Sequence, residues 1–282
     1  MIKKFLYYIL LFMLLIFVTL IYSRFVGVTG LNTNEILIKS NDIDTGYNGL
    51  KIVQFSDIHY KKIINEERIK ELVNEINAIK PDVVIFNGDL FDNDYKVDSK
   101  DIDFLIHQLS KINSKYGKYS ILGDADYSNI DTVKNIYIQS DFNLLCNDGA
   151  IVYNESNQKI FIGGVESSAN GKANIKDVMK YFDENEDIKY KILLVHEGDY
   201  IDDVLNDYNF NLILGGHSIN GSVNVPLVKN ILLPRGGKKF YNNYYKVNNT
   251  DIYISNGIGV NNVNFRLFNT PSINYFRIKK TS

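Results

Sequence analysis

Apolar residues fall along this chain in three kinds of run. The first is unbroken. From Phe5 to Tyr22, 18 residues, Thr19 is the only polar member apart from the tyrosines. The second kind is short, bounded by polar or turn residues: Leu50–Phe55, Asp82–Phe86, Lys118–Leu122, Lys159–Ile162, Lys191–Val195, Asn211–Leu214 and Asp251–Ser255. These read as buried strands. The third kind is periodic. Asn65 to Lys80 places Ile69, Leu72, Val73, Ile76 and Ile79 on one stripe at helical spacing, with Glu66 and Glu67 in the first turn and Pro81 after the end. Asp101 to Asn113 carries a second stripe, Ile102, Leu105, Ile106, Leu109 and Ile112. Asn174–Phe182 and Tyr200–Asn206 are weaker helices. Strands alternating with helices predict an α/β domain. Beyond Pro226 the chain turns often, at Gly236-Gly237, Asn242-Asn243 and Asn248-Asn249, and reads as hairpins. Two packed sheets accommodate both patterns.

The unbroken run is about the length needed to cross a bilayer core as a helix. A buried core helix would show a polar face, and this run has none. A cleaved secretory signal would be followed by a small-x-small site, whereas the exit reads Leu20-Ile-Tyr-Ser-Arg-Phe25. The reading is therefore an uncleaved single-pass anchor over residues 1–24. Lys3, Lys4 and the terminal amine outnumber Arg24, which puts the N-terminus in the cytoplasm and the rest of the chain outside. Residues 25–48 read as a tether and a first strand, Glu35–Lys39. Residues 49–282 form one large domain.

Polar residues collect where the short runs end. Asp57 and His59 follow the first run, Asp89 the second, Asp124 the third, His196 the fifth and His217 the sixth. Ligands of open α/β sheets bind outside the carboxyl ends of the strands. Five exits in one layer would each deliver a carboxylate or an imidazole to a common cleft. Gly88, Gly123 and Gly216 precede three of these residues and would let the backbone turn sharply.

Composition sharpens this. The chain has four histidines, so three of the four are spent at strand exits. The one cysteine, Cys146, excludes an intrachain disulfide and a thiolate zinc site. A formal net charge of -2 excludes a strongly basic nucleic-acid binder, and no nucleic acid is expected as a partner. Three carboxylates in one cleft repel one another unless cations are present. Oxygen and imidazole ligands without thiolate suit Mn, Fe or Zn, and more than four ligand groups suggests two ions.

These residues resemble the motifs of the calcineurin-like metallophosphoesterases, and most nearly the bacterial membrane-associated branch that includes UDP-diacylglucosamine pyrophosphohydrolase-like proteins. The family's Asp-x-His is Asp57-Ile-His59, its Gly-Asp is Gly88-Asp89, its lone His is His196, and its Gly-His-x-His begins at Gly216-His217. The tail is similar too, in Tyr245–Thr250, Ile254–Gly259 and Arg266–Pro271. The resemblance implies a four-layer α/β/β/α sandwich preceded by one transmembrane helix. It implies one divalent ion on Asp57, His59 and a bridging Asp89. A second would sit on Asp89, Asp124, His196 and His217, and a metal-bound hydroxide would hydrolyse a phosphoester or pyrophosphate bond.

Two motifs depart from the family. Gly-Asn-His-Asp reads Gly123-Asp124-Ala125-Asp126, and Gly-His-x-His reads Gly216-His217-Ser218-Ile219. Asp124 still offers oxygen and adds a negative charge. Ala125 replaces the acid that protonates a leaving alkoxide, so the catalytic acid is unassigned. Ile219 removes one metal ligand, so one ion rather than two is an alternative. His107 lies off its helix's apolar stripe and reads as a solvated residue. Two functions follow. One is a membrane-anchored, metal-dependent phosphoesterase acting on a phosphorylated small molecule or lipid head group, weakened and narrowed to good leaving groups. The other is a catalytically impaired binding or regulatory module on the same fold.

Overall fold

The computed structural model describes residues 1–183, 188–225, 232–261 and 263–281. Pro226, where the sequence pattern changes, lies outside them. The chain opens with helix α1, Ile2–Phe25, which carries no polar stripe and buries only Ser23. It is long and apolar enough to cross a membrane, and none of its most apolar window is buried against the rest of the chain.

Strands β1 (Asn32–Ser40), β2 (Leu50–Phe55), β3 (Val83–Phe86), β4 (Lys118–Ser120), β5 (Phe142–Leu144) and β12 (Ser272–Lys280) form one sheet in the order β1-β12-β2-β3-β4-β5. Strands β6 (Asp148–Tyr153), β7 (Lys159–Gly164), β8 (Lys191–Leu194), β9 (Leu212–Gly215), β10 (Tyr244–Val247) and β11 (Thr250–Ile254) form the other, in the order β10-β11-β9-β8-β7-β6. β2, β3, β4 and β5 run parallel, as do β7, β8, β9 and β11. Their C-terminal ends therefore share a direction within each sheet.

Three apolar layers order these parts. Helices α2 (Glu66–Ile79), α3 (Ser99–Leu109) and α4 (Ile130–Gln139) pack on the first sheet through Ile69, Leu72, Leu105, Val133 and the outer faces of Val53 and Phe86. The two sheets pack on each other through Ile52, Ile85 and Tyr119 on one side and Ile162, Ile192 and Leu214 on the other. Helices α5 (Ile175–Asp183) and α6 (Ile201–Asp207) cover the second sheet through Val178, Ile201 and Val204. The result is the α/β/β/α sandwich. The α2 signals work as read: Asn65 accepts from the Arg68 N–H, and the chain leaves through Lys80 in the left-handed region at φ 53°.

Two readings are corrected and one is extended. The late chain is only partly hairpins: β10 and β11 are one, but β12 enters the first sheet between β1 and β2. The first strand read at Glu35–Lys39 is present and longer than read, since Asn32–Ser40 pairs along its whole length with β12. The site strands do not lie in one layer. β2, β3 and β4 belong to the first sheet and β8 and β9 to the second. Buried polar bonds lock the two sheets together at that end. Gln54 Nε2 donates to Gly215 O at 2.9 Å, and Asn87 Nδ2 donates to Leu214 O at 2.8 Å and Val195 O at 3.1 Å.

Candidate metal centre

The site is built where strands stop. After β2 the chain passes through Asp57 (φ 53°) and His59 (φ 45°), after β3 through Asp89 (φ 62°), and after β9 through His217 (φ 61°). All four are non-glycine residues in the left-handed region, where each costs about 1–3 kcal/mol. The surroundings hold them there: the Asp57 N–H donates to Gly88 O at 2.9 Å and the His59 N–H to Asp89 O at 3.1 Å. Two glycines are required by space. A Cβ at Gly88 would sit 2.2 Å from Gly123 N, and one at Gly123 would sit 2.1 Å from Asp89 Oδ1. The β3 and β4 exits touch backbone to backbone, and that brings Asp89 beside Asp124.

All six sequence-predicted ligands converge, in two groups that share Asp89: Asp57, His59 and Asp89, and Asp89, Asp124, His196 and His217. Within each group the ligand atoms lie within 4.8 Å of one another. His59 Nε2 is 3.5 Å from Asp89 Oδ2, and His196 Nε2 is 3.2 Å from both Asp89 Oδ2 and Asp124 Oδ1. His217 Nδ1 is 2.9 Å from Asp124 Oδ1. Five of the six are buried, and Asp124, its side chain 22% exposed, faces the cavity.

The donor set fits divalent cations. Each imidazole has an oxygen beside its outer nitrogen, hydrogen-bonded in His196 and His217 and within ion-pair range in His59. His196 Nδ1 lies 2.6 Å from Asn87 O, His217 Nε2 2.8 Å from Arg235 O, and His59 Nδ1 3.3 Å from Asp92 Oδ1. A carbonyl can only accept, so those ring nitrogens of His196 and His217 carry a proton, and the inner nitrogens are the ones a cation would bind in place of a proton. Asp57 Oδ1, Asp89 Oδ2, His59 Nε2 and His217 Nδ1 are buried without a hydrogen-bond partner, although several lie within 4 Å of one another. Close approach without hydrogen-bond geometry is the arrangement of ligands around a common ion.

The electrostatics agree. Burial pushes the Asp57 carboxyl above the usual carboxylate range, against the pull of His196. Burial disfavours charge on each imidazole, but the carboxylates outweigh it: His59 and His196 are held above their ordinary value and His217 is raised to about 9. The Asp124 carboxyl is held far below the usual range by both imidazoles, in spite of burial. Cations that bind these ligands would compete with protons.

The replaced positions are placed as well. Ala125 N–H donates to Asp89 Oδ1 at 2.9 Å, and its methyl group lines the cavity with no proton to give. Ile219 is buried and packs over Gly257, where a Cβ would lie 2.5 Å from Ile219 Cγ2. His107 is exposed, away from the cluster. Sequence reasoning missed the supporting groups. Asp92 and Asn87 orient two imidazoles. Asp126, fully buried, accepts from the N–H groups of Asp89, Leu90 and Gly123 and pins the two exits together. Glu197 accepts from Ser167 Oγ and from the Ser168 N–H and Ala169 N–H, fixing the loop after β7 at the cavity wall. Asp126 was legible only as the last letter of a motif, and Glu197 carried no signal of its own. The cavity, about 490 Å³, opens onto His59, Asp89, Asp124, Ala125 and His217.

Comparison with known proteins points the same way. Residues 50–221 match the calcineurin-like phosphoesterase family. The uncharacterized metallophosphoesterase YkuE of Bacillus subtilis is 30% identical over 93% of this chain and 90% of its own length. YkoQ of the same species, also an uncharacterized metallophosphoesterase, is 24% identical over 94% of this chain and 97% of its own. A transmembrane protein with metallophosphoesterase domain from Danio rerio is 22% identical over 87% of this chain and 57% of its own length. Among solved structures, the sulfate thiohydrolase SoxB of Thermus thermophilus superimposes with a TM-score of 0.51 at 10% identity, over 75% of this chain and 52% of that one, a likeness of fold.

Proposed function

The chain belongs to the calcineurin-like phosphoesterase family, and on that premise we propose that it is a metal-dependent phosphoesterase cleaving a phosphodiester or diphosphate bond with a good leaving group. The observation that carries this is the set of three imidazoles. Each has an oxygen against its outer nitrogen, hydrogen-bonded in His196 and His217, and each aims its other nitrogen at the carboxylates of Asp89 and Asp124 or of Asp57 and Asp89. Two divalent cations of the Mn, Fe or Zn type would supply charge for an anionic phosphate and lower the pKa of water.

The residues divide the remaining work. Asp57 and His59 hold one side and Asp124, His196 and His217 the other, while Asp89 reaches both. Asp124 adds a negative charge where the family carries an amide, tightening cation binding and weakening the attraction for phosphate. Ala125 gives no proton to the departing oxygen. General acid help is worth typically 10²–10⁴-fold. Phenolates and phosphates leave without it, and alkoxides do not. The narrower likeness to UDP-diacylglucosamine pyrophosphohydrolase-like proteins puts diphosphates among the candidate substrates.

We further propose that α1 crosses a membrane with Lys3 and Lys4 on the cytoplasmic side and the domain outside, so that the substrate is a phosphorylated small molecule or a lipid head group. Ala125 and Ile219 together favour a second reading, a binding module that keeps the cations without turnover. The test is hydrolysis of bis-p-nitrophenyl phosphate with added Mn²⁺. Turnover that disappears in Asp89→Asn supports the enzyme. Absence of turnover with Mn²⁺, Fe²⁺ or Zn²⁺ between about pH 6 and pH 9, where such sites operate, favours the binding module.

A further inference from the structure

Helix α1 does not hang from the domain; it is bonded to it. Ser23, the one buried residue of α1, accepts from the Arg266 N–H at 3.0 Å. Val26 and Gly27 turn the chain back on Tyr22 O, each at 2.8 Å. Gly27 lies so close to Arg266 that a Cβ there would sit 1.9 Å from Arg266 O. Arg68 Nη2 then donates to Gly30 O, and the Asn32 N–H to Pro271 O at 2.9 Å, where β1 begins.

The same Arg266 reaches the metal centre. Its guanidinium is fully buried and donates to the carbonyls of Asn256, Gly257 and Gly259. That loop is in turn bonded to the β2 exit: the Gly259 N–H donates to Asp57 O at 2.7 Å and the Ile258 N–H to Ser56 O at 3.0 Å. Three hydrogen bonds, through Arg266 and Gly259, thus link the end of α1 to a candidate metal ligand.

Around this joint the surface is apolar. Phe25 is 65% exposed, Val26 51% and Phe268 75%. Phe25 and Phe268 each lie two residues from the Ser23–Arg266 bond. Phe268 is held at φ 54°, a region bulky residues seldom enter, with its ring in the open. Arg24 stacks over Phe25, its guanidinium carbon 5.4 Å from the ring centre. Apolar rings beside a basic residue at the end of an apolar helix suit the boundary between acyl chains and head groups. The patch is continuous with α1, whose apolar side chains are exposed on every side. That continuity selects a bilayer over a protein partner as the occupant.

We propose that Phe25, Val26 and Phe268 are seated in the head-group layer of the bilayer that α1 crosses, and that the domain is docked on its own anchor through Arg266 with the metal-ligand end of its sheets held at the membrane. The inference rests on the membrane reading above and goes beyond it by fixing the pose of the domain.

The chain contains no tryptophan, so one introduced residue is the sole indole reporter. Full-length Phe268→Trp is reconstituted into vesicles of equal parts phosphatidylcholine and phosphatidylglycerol, with and without bromine on the acyl chains near the carbonyl. Tyr153→Trp, at the end of β6 away from the site, is the control. Val26→Trp repeats the measurement should the first variant fold poorly. The expected result is flotation with the vesicles, with the indole emission of the Phe268→Trp and Val26→Trp variants falling to half or less on brominated lipid while the control is unchanged. Flotation with Phe268→Trp unquenched overturns the docked pose and leaves the anchor standing, whatever Val26→Trp at the C-cap of α1 shows. Failure to float overturns both.

Discussion

Asp89 is the residue on which the two ligand groups meet, and its Oδ2 has no donor of its own. Asp89→Asn keeps the shape and halves the acceptor capacity at that point, so both cations should be lost together. Ala125 makes a different claim. Ala125→His, facing the cavity, should raise kcat/KM for alkyl phosphodiesters more than for aryl ones, by up to about 10²–10⁴-fold in the ratio. An unchanged ratio would mean that proton donation is not what position 125 lacks. Asp126 carries structure instead of chemistry. Asp126→Ala strands three buried N–H groups and should cost at least about 3 kcal/mol in urea unfolding. Cys146 is half-buried and its thiol is pushed up to about 11 by burial, so it should resist iodoacetamide at neutral pH until the chain unfolds, as read by mass spectrometry.

At the scale of elements, the strands that were legible are the ones with a short apolar run, buried on both faces in β2, β3, β8 and β9 and on one face in β11. β2 occupies the run Leu50–Phe55 read from the pattern, and β3, β8 and β9 fall within a residue of theirs. β6 and β12 were missed for the opposite reason. Ser272–Lys280 interleaves polar and charged residues with its core side chains, and β6 is an edge strand, half-buried over most of its length. The site was legible residue by residue because a strand exit leaves a local mark, a glycine and then an ionisable side chain. Which sheet each exit belongs to was not, because nothing in Lys191–Leu194 distinguishes it from Val83–Phe86; pairing decides that. The closeness of the β3 and β4 exits was likewise invisible. Gly88→Ala tests it: at φ 86°, with Gly123 N in the way, it should destabilise the fold by at least about 2 kcal/mol and weaken cation binding, measured by urea unfolding and metal titration.

For the whole molecule, the buried cluster ties folding to protons and cations. Asp126 is raised to about 7, by burial first and then by Asp89, and Asp57 is raised as well. A raised carboxyl binds protons in the folded state that the unfolded chain has released, so its contribution falls as pH rises toward the folded value. The imidazoles have the same sign, since stability from a raised His is lost as pH climbs through its folded pKa, about 9 for His217. In chelator, the chain should therefore lose stability steadily from about pH 5 to about pH 9. Mn²⁺ or Zn²⁺ should reverse that trend, adding about 2.7 kcal/mol at a hundredfold excess over Kd. Urea titrations at three pH values, with and without metal, would read both slopes.

The central claim is that seven ligand contributions from six residues form two cation sites sharing Asp89. Its most direct measurement is elemental mass spectrometry on the full-length chain in detergent, loaded with Mn²⁺ or Zn²⁺, desalted, and compared with Asp89→Asn. The expected result is about two ions per chain in the natural sequence and none in the variant. No retained ion in the natural sequence would contradict the metal centre and leave only the fold.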